Sequence, residues 1–411
     1  MRPIGIEALD VHPGLLQIPA SDVFAGRGLD AGRFGNLTMS RRSVALPFED
    51  PVTNAVNAAA PLLDRLGPDI RDRVELLVTT SESGIDYSKS IASYVHRYLG
   101  LGRNCRLVEM KQACYSATAA LQLALAQTAS GFSEGAKALV VATDVSLADA
   151  RAEYAEPATG TGAVAMLVGD EPRVLTVDQG AFGTYSFETL DSARPAPDLD
   201  IADVDRSLLA YLECLGGSFA DYCSRVEDAD FVRTFDHLAM HTPFAGMVKA
   251  GHRRMMRELG TAAGPEVEAD FARRVAPSLV YPGEVGNLFS GSLYLALAAL
   301  IDQVRPAAPA RVGLFSYGSG CSSEFFSGVI GADSTAALAE ARIAERIAGR
   351  GRLTFAEYDA LLDQNRGCLH PDRHRRVDHE PHLALLDRVA ERPKILALAA
   401  IEDYHRRYEW I

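Results

Sequence analysis

Cys114 is the residue whose surroundings in this sequence most favour covalent chemistry. It lies between a short apolar run at 107–110 and the uncharged run 117–126 of Ala, Thr, Leu and Gln. This pattern predicts a strand, a sharp corner and a buried helix. At the first turn of a helix, the dipole favours a thiolate, and free N–H groups can hold an oxyanion on an attached acyl group. A free cysteine is also common as a small buried hydrophobic residue, so spacing alone leaves both interpretations open.

Two further residues follow predicted strands and could act with such a cysteine. Glu82 comes directly after a buried run at 74–80, and His241 follows a run at 237–240. The carboxyl ends of parallel strands are where α/β folds place their sites. The alternative for Glu82 is an ordinary solvated loop glutamate. His237 is a weaker candidate, because alternation along the strand favours a packed core histidine there.

A histidine-rich segment near the C-terminus raises the question of a metal site. Its members are His370, His374, His379 and His382. Pro371 and Pro381 interrupt any helix that would align them as ligands. We therefore expect no metal site in this protein.

Composition limits the classes of function. The chain has 411 residues, a formal net charge of −13, and 48% hydrophobic and 23% charged residues. The negative charge argues against a general nucleic-acid partner. The N-terminus lacks an apolar signal core, and no run reaches membrane-span length, so we expect a cytoplasmic protein without a membrane partner. The six cysteines form no Cys-x-x-Cys pair and should stay reduced.

The order of the predicted elements indicates a duplicated α/β core. Strands at 74–80, 136–143 and 160–168 alternate with helices, which predicts a largely parallel sheet covered on both faces. The second half repeats the pattern, with a glycine-marked corner and buried helix at 286–301. We expect an N-terminal half, 1–172, carrying Glu82 and Cys114. The C-terminal half, 173–411, carries His241, Asn287 and Ser319. Within that half, residues 192–205 are predicted to be a connection, and a helical extension is predicted from about residue 334.

Several segments together resemble one enzyme family. Residues 111–121 (KQACYSATAAL) resemble the nucleophile motif of 3-hydroxy-3-methylglutaryl-CoA synthases, in the thiolase superfamily. Residues 80–90 (TSESGIDYSKS) resemble that family's catalytic-glutamate motif, and 241–248 (HTPFAGMV) its histidine motif. The other matching segments are 142–144, 156–165, 285–295 and 315–320. They run in family order between about residues 4 and 328. The resemblance implies a thiolase fold, with a duplicated α-β-α-β-α core of five layers.

The resemblance also implies a role for each matched residue. Cys114 would be the acyl-accepting nucleophile, Glu82 the general base and acid, and His241 a hydrogen-bond donor to the acceptor's β-keto oxygen. The supporting residues would be Asp144, Asn287, Gly318 and Ser319. The reaction would be an aldol-type condensation of two thioesters, followed by hydrolysis, in a homodimer without a permanently bound cofactor.

Two segments, 49–59 (EDPVTNAVNAA) and 135–144 (GAKALVVATD), look like the members of this family that install β-branches in polyketides. Those enzymes use phosphopantetheine thioesters on donor and acceptor acyl carrier proteins, and the donor acyl group here would be acetyl or propionyl. Arg33 and Lys249 would then contact a pantetheine phosphate, or else be ordinary surface residues. The basic helix at 249–257 is a candidate docking site for an acidic carrier protein.

Three other functions fit parts of the sequence. The first is a synthase that uses acetyl-CoA and acetoacetyl-CoA. The second is a decarboxylating or acyl-extending ketosynthase of the same fold, which would not need Glu82. The third is a catalytically silent protein that docks carrier domains, which would have no chemical need to retain Glu82, Cys114 and His241 together.

Overall fold

The computed structural model describes residues 2–146, 155–259 and 264–411 as alternating strands and helices. The strands are β1 (Gly5–His12), β2 (Leu16–Pro19), β3 (Arg41–Val44), β4 (Val74–Thr80), β5 (Arg106–Met110), β6 (Lys137–Asp144), β7 (Gly162–Gly169), β8 (Leu175–Ser186), β9 (Ser192–Ala196), β10 (Leu199–Ala202), β11 (His237–Met240), β12 (Ala310–Gly318), β13 (Ser322–Ile330), β14 (Gly351–Arg352), β15 (His374–Arg376), β16 (Leu396–Glu402) and β17 (His405–Trp410).

The helices are α1 (Ala20–Arg27), α2 (Phe34–Leu37), α3 (Pro51–Leu66), α4 (Pro68–Asp72), α5 (Ile91–Leu99), α6 (Ser116–Ser130), α7 (Val204–Arg225), α8 (Ala245–Leu259), α9 (Gly264–Arg274), α10 (Val280–Val285), α11 (Ser292–Val304), α12 (Ala332–Ala339), α13 (Ile343–Ala348), α14 (Phe355–Asn365) and α15 (Leu383–Leu386). Short 3-10 turns lie at Ala31–Arg33, Ala276–Leu279, Phe289–Gly291 and Glu380–His382.

Nine strands form one mixed sheet in the order β11-β12-β13-β8-β1-β7-β6-β4-β5. It consists of two half-sheets, because β1 and β8 share only the pairs Gly5 with Thr176 and Ile6 with Leu175. Strands on the two sides of this junction correspond in mirrored order. β11 lies parallel to β12 as β4 does to β6, and β12 lies antiparallel to β13 as β6 does to β7. The predicted duplication is therefore present in the topology.

Side chains that alternate along each strand divide the core into layers. In β4, Leu76 and Val78 pack in a cluster with α6 and α11, whereas Leu77 faces α3 and α5. In the other half-sheet, Leu314 joins the first cluster, and Phe315 faces α7 and α8. The order is therefore helices, half-sheet, helices, half-sheet, helices, which confirms the predicted five-layer α-β-α-β-α core.

Helices α6 and α11 occupy the middle layer, where both of their faces contact a half-sheet. The run Ser292–Ile301 in α11 is entirely buried, as its uniformly apolar composition requires. The Thr118 hydroxyl of α6 and the Tyr294 hydroxyl of α11 form a 2.8 Å hydrogen bond between the two helices. The two corners that precede these helices therefore lie on either side of a shared centre.

Two sequence-based expectations are wrong or incomplete. Residues 192–205, predicted to be a connection, contain the antiparallel hairpin β9–β10 and the start of α7. The extension from residue 334 contains helices, but also the antiparallel sheet β15-β16-β17. This sheet packs on the N-terminal half, because Asn57 of α3 accepts a hydrogen bond from the Leu396 N–H and donates one to its carbonyl.

Candidate active site

Cys114 lies in a tight corner between β5 and α6. Ala113 has a left-handed backbone, with φ of 46°. The Ser116 hydroxyl accepts a hydrogen bond from the Gln112 N–H at 2.6 Å and donates to the Ala113 carbonyl at 2.7 Å. The serine therefore stabilises a turn that few residues other than glycine adopt. The thiol is thereby presented at the carboxyl edge of the sheet, two residues before the helix begins.

The Cys114 thiol hydrogen-bonds to a carboxylate oxygen of Glu82, with Sγ and Oε1 2.9 Å apart. Burial raises the pKa of Glu82. Burial and the adjacent Glu82 charge raise the pKa of the Cys114 thiol well above its usual value. The structure thus contradicts the expectation that the helix end favours a free thiolate, because burial and the neighbouring carboxylate both oppose the charged form of the thiol. Deprotonation of this thiol is therefore coupled to protonation of Glu82.

Asp144, at the end of β6, holds the Glu82 loop by its backbone. Its Oδ1 accepts hydrogen bonds from the Glu82 N–H at 2.8 Å and from the hydroxyls of Ser81 and Ser83 at 3.1 and 3.0 Å. Burial, followed by the Glu82 charge, raises the pKa of Asp144 to about 8. Asp144 therefore fixes the Glu82 loop and adds a second carboxyl group to the site.

His241 directly follows β11 and is 2% exposed. Its carbonyl accepts a hydrogen bond from the Tyr211 hydroxyl at 3.0 Å, and its own N–H donates to the Phe315 carbonyl at 2.7 Å. Burial lowers the pKa of His241 to about 3, so the imidazole is neutral at physiological pH. Its Nδ1 has no partner within the described residues. His237 lies at the opposite end of β11, half-buried.

Asn287 begins the second corner, just before α11. Its side-chain oxygen accepts hydrogen bonds from the Phe289 N–H at 2.9 Å and the Ser292 hydroxyl at 2.7 Å, which fixes the orientation of the amide. The same hydroxyl lies 3.4 Å from the carbonyl of Thr242, the neighbour of His241. Ser292 thus connects the Asn287 corner to the His241 turn.

The glycine turn after β12 packs directly on the Cys114 corner. A Cβ at Gly318 would lie 2.5 Å from the Tyr115 nitrogen and 2.6 Å from the Gln112 carbonyl oxygen, so only glycine fits there. Ser319 follows, half-buried, in the turn to β13. The structure therefore places Gly318 against the Cys114 corner, with Ser319 next along the chain.

Asp191 is absent from the residues predicted from sequence, although it is completely buried beside this turn. It accepts hydrogen bonds from the Tyr317 hydroxyl at 2.5 Å and the Gly320 N–H at 3.0 Å. Its charge contributes to the raised pKa of both Glu82 and Cys114. It directly precedes the hairpin predicted to be a connection, where the hydrophobic pattern is weak. The Pro197-Asp198 turn between two short runs was the available indication of a hairpin.

The two basic residues predicted to contact a pantetheine phosphate lie on neighbouring surface elements. Arg33 is exposed and leads into α2, and the Asn36 carbonyl of α2 packs against Gly246 at the start of α8. Lys249 of α8 forms a 2.8 Å ion pair with Glu268. Arg253 pairs with the same glutamate, and Arg254 pairs with Glu258 of its own helix. The basic character of α8 is therefore smaller than the sequence indicates.

The histidines of the C-terminal segment do not converge: His379 and His382 both pack on the Phe48 ring, whereas His370, His374 and His379 each lie beside a different carboxylate. His370 lies 3.8 Å from Asp198, His374 lies 3.5 Å from Asp403, and His379 lies 3.6 Å from Glu409. Within residues 2–146, 155–259 and 264–411, no three His, Cys, Asp or Glu side chains could hold a metal ion together. No helix in these ranges is long and apolar enough to cross a membrane.

The site can accept an acyl group on the thiol and move protons with the adjacent carboxyl. The neutral histidine, the oriented amide and the glycine turn can bind and orient a substrate beside them. On a duplicated five-layer core, these features define a thiolase-fold condensing enzyme with a cysteine nucleophile. Two family models match the chain: hydroxymethylglutaryl-coenzyme A synthase N terminal over residues 2–173, and its C terminal counterpart over 265–409. The chain belongs to the hydroxymethylglutaryl-CoA synthase family.

Individual relatives agree with this placement. The chain is 45% identical over 420 residues to the polyketide biosynthesis 3-hydroxy-3-methylglutaryl-ACP synthase PksG of Bacillus subtilis, with full coverage of both chains. It is 32% identical over 367 residues to the hydroxymethylglutaryl-CoA synthase of Enterococcus faecalis, covering 87% of this chain and 91% of that one. The solved HMG synthase of the curacin biosynthetic pathway, in complex with holo donor-ACP, has a TM-score of 0.97 at 45% identity over both full chains.

Proposed function

We infer that this protein installs β-branches in polyketide biosynthesis. It condenses an acyl group, taken onto Cys114 from a donor acyl carrier protein, with a β-ketoacyl thioester on an acceptor carrier protein. The observation that carries the chemistry is the 2.9 Å contact between Cys114 and Glu82. The carrier-protein assignment rests on 45% identity to a synthase named for ACP, against 32% to one named for CoA.

In the first step, the Cys114 sulfur attacks the thioester carbonyl of the donor while its proton passes to Glu82. The tetrahedral intermediate then collapses, and Glu82 returns the proton to the departing pantetheine sulfur. The result is an acyl-Cys114 thioester and a free donor thiol. The shared proton makes this exchange possible although the pKa of the thiol is raised.

In the second step, the Glu82 carboxylate removes a proton from the carbon next to the acyl carbonyl. The resulting enolate attacks the β-keto carbon of the acceptor, and protonated Glu82 gives its proton to the new alkoxide. His241, neutral because burial lowers its pKa to about 3, hydrogen-bonds this oxygen without adding charge. Asn287, Gly318 and Ser319 position the thioesters.

In the third step, water cleaves the Cys114 thioester, which frees the thiol and leaves a carboxylate on the new branch. Protein side chains supply the nucleophile and the proton transfers, so we propose no permanently bound cofactor. The phosphopantetheine arms of the carrier proteins enter as substrates. We also propose a cytoplasmic location, in which the six cysteines remain free thiols.

We propose a homodimer formed through the edge strand β5. This strand ends the nine-stranded sheet, and its Val108 side chain is 42% exposed. Pairing two copies edge to edge would extend the sheet and satisfy the open backbone groups. Sedimentation equilibrium measures this directly, and a stable 44.2 kDa monomer would contradict it.

The decisive experiment compares acyl groups on carrier proteins with the same acyl groups on CoA. We expect acetyl on a donor carrier protein, with acetoacetyl on an acceptor carrier protein, to give a kcat/KM at least about tenfold above that of the two CoA thioesters, a difference of roughly 1.4 kcal/mol. A propionyl donor carrier tests the alternative acyl group. Equal or better turnover of acetyl-CoA and acetoacetyl-CoA would instead make the protein a CoA-using synthase.

Glu82→Gln separates acyl transfer from condensation. Loss of the carboxylate removes the proton acceptor of the first step, but it also removes a charge that raises the Cys114 pKa, so solvent can take the thiol proton and the variant should still form the acyl-enzyme. It cannot accept a proton from carbon, so condensation should fall by about 10²–10⁴-fold. Intact mass should show acyl-Cys114 persisting when the β-ketoacyl acceptor is added.

Glu134→Gln is the matched control, because this glutamate is exposed on the surface. It should load and condense like the parent protein. A Glu82 variant that does not load would mean that acyl transfer itself requires Glu82, either as the acceptor of the thiol proton or as support for the Cys114 corner. One that condenses normally would assign the proton transfer to another group.

A further inference from the structure

Arg194 lies in hairpin β9–β10, which covers the Glu82 loop. Its side chain is only 11% exposed. One guanidinium nitrogen, Nη1, donates to the Ser83 hydroxyl at 3.1 Å and to the Glu82 carbonyl at 3.4 Å. The arginine therefore binds the same turn that Asp144 holds, the one that carries the proposed base.

Two contacts hold the guanidinium in one orientation. Asp200, on the other strand of the hairpin, accepts from Nε at 2.6 Å and from Nη2 at 3.4 Å. The Phe289 ring lies 5.5 Å from the guanidinium carbon, in the range of a cation–π contact. Phe289 is two residues from Asn287, so Arg194 connects the Glu82 loop of one half to the Asn287 corner of the other.

Within residues 2–146, 155–259 and 264–411, Arg194 is the positively charged group that acts on Glu82. The ionisable groups that face Glu82 are Arg194, Cys114, Asp200, Asp191 and Asp144. Burial raises the pKa of Glu82, and the Arg194 charge opposes this rise. The neighbouring carboxylates of Asp200, Asp191 and Asp144 favour the neutral form of Glu82. Ionisation of Glu82 therefore depends strongly on the Arg194 charge.

We propose that Arg194 is a positioning residue that fixes the Glu82–Ser83 turn and stabilises the carboxylate form of Glu82, the form that can accept a proton from carbon. It acts through Glu82 and does not touch the reacting atoms. This inference deepens the proposed function and rests on it for the catalytic consequence. The electrostatic consequence belongs to the Glu82–Cys114 pair and is measurable without any carrier protein.

The test uses Arg194→Met, which keeps a long side chain without charge, and Arg194→Lys, which keeps the charge without the planar contacts. The first readout is the pH dependence of Cys114 alkylation by iodoacetamide in the full-length protein. Removing the positive charge should raise both apparent pKa values of the coupled pair, so the Met profile should move up by about one pH unit. The Lys profile should lie between Met and parent.

Asp200→Asn distinguishes charge from structural damage. Asp200 opposes ionisation of Glu82, so its loss should move the alkylation profile to lower pH, the reverse of Arg194→Met. General loosening of the hairpin would move both variants in the same direction. Circular dichroism and thermal unfolding confirm that each variant is folded.

The second readout is single-turnover condensation against pH. In Arg194→Met, the rising limb should move to higher pH, and the rate at a fixed pH on that limb should fall about tenfold for each pH unit that the limb moves. Acyl loading should be affected less than condensation. An alkylation profile for Arg194→Met that coincides with the parent profile would overturn the proposal, whether or not the carrier-protein reaction is observed.

Discussion

The Cys114 corner and the corner before α11 share one backbone design but differ in chemistry. Each places a non-glycine residue with a left-handed backbone three positions before a buried helix: Ala113 with φ of 46° and Phe289 with φ of 51°. Each helix begins with a serine, Ser116 or Ser292, whose hydroxyl accepts the N–H of the residue four positions earlier, at 2.6 and 3.0 Å. The duplication thus extends to single hydrogen bonds.

This correspondence places Ser290 at the position of Cys114. Cys114 is half-buried and contacts Glu82, whereas Ser290 is 2% exposed and bonds the Thr80 hydroxyl at 2.9 Å. The second corner therefore has a polar side chain at the same point, but this side chain faces a threonine where Cys114 faces a carboxyl group, and it is almost inaccessible to solvent. The duplicated fold provides the same turn twice. Whether the side chain in the turn can react depends on the side chain that it faces and on its own exposure to solvent.

Exchanging the two side chains tests this distinction and should give the largest effect. Cys114→Ser should abolish stable acyl loading, because a serine hydroxyl has almost no ionised fraction at neutral pH. Adding Ser290→Cys should not restore loading, because that position is buried and faces a threonine. Intact mass after incubation with the acyl donor carrier measures both outcomes.

Cys105→Ser is the matched control and should load normally. An acyl group found at position 290 would show that the second corner is accessible. An adduct that persists in Cys114→Ala, with the other five cysteines intact, would place the nucleophile elsewhere.

The left-handed residues of the two corners should differ in their contribution to stability. Phe289 is 7% exposed and packs against Arg194, so Phe289→Ala should lower the free energy of unfolding by about 3–5 kcal/mol. Ala113→Gly relieves a left-handed alanine but adds chain entropy, so the net change should be within about 1 kcal/mol. Urea unfolding measures both. A large loss from Ala113→Gly would mean that its methyl group has a packing role.

The Cys114 corner is hydrogen-bonded to a carboxyl group with a raised pKa, and the corner before α11 has no equivalent contact among the described residues. Glu324 accepts from the Tyr115 hydroxyl at 2.8 Å, whereas the position equivalent to Tyr115 is Gly291. Burial raises the pKa of Glu324 to about 7 from 4.5. Between these values the folded protein binds more protons than the unfolded chain. The free energy of unfolding therefore falls as the pH rises through this window, by on the order of 3 kcal/mol from this group.

Glu324→Gln should remove that part of the pH dependence. Urea unfolding between pH 4.5 and 8 should show parent and variant converging at the acidic end of the window and diverging at its alkaline end. The exposed Glu134→Gln variant should follow the parent throughout. A Glu324→Gln curve parallel to the parent curve would mean that Glu324 titrates normally in the folded state.

The sequence predicts the strands and helices that carry the site, because each contains a mainly apolar run bounded by turn residues. The Asp50-Pro51 pair is a helix start signal in the sequence, and α3, Pro51–Leu66, begins there, with the Asp50 carboxylate capping the Val52 and Thr53 N–H groups. The apolar runs that precede Glu82 and His241 also predict correctly that both residues lie at the ends of strands. Such features depend on neighbours in sequence, which periodicity and turn residues report directly.

The remaining features depend on contacts between distant parts of the chain. Residues 396–402, LALAAIE, consist largely of good helix formers, yet they form β16, because they pair with β17 and pack on α3. The raised pKa of Cys114 depends on a carboxylate 32 positions earlier in the chain. Asp191 and Arg194 become recognisable only when hairpin β9–β10 is seen to lie over the site.

The hydrogen bond between Thr118 and Tyr294 bears on how the two halves can have diverged. These residues occupy equivalent positions, each two residues after the first serine of its helix, and they meet at 2.8 Å. In two identical halves, the same side chain would face its own copy at this point. Two threonines would leave a gap, and two tyrosines would overlap. The contact therefore requires one large and one small side chain. The two halves must carry different residues at this pair of equivalent positions.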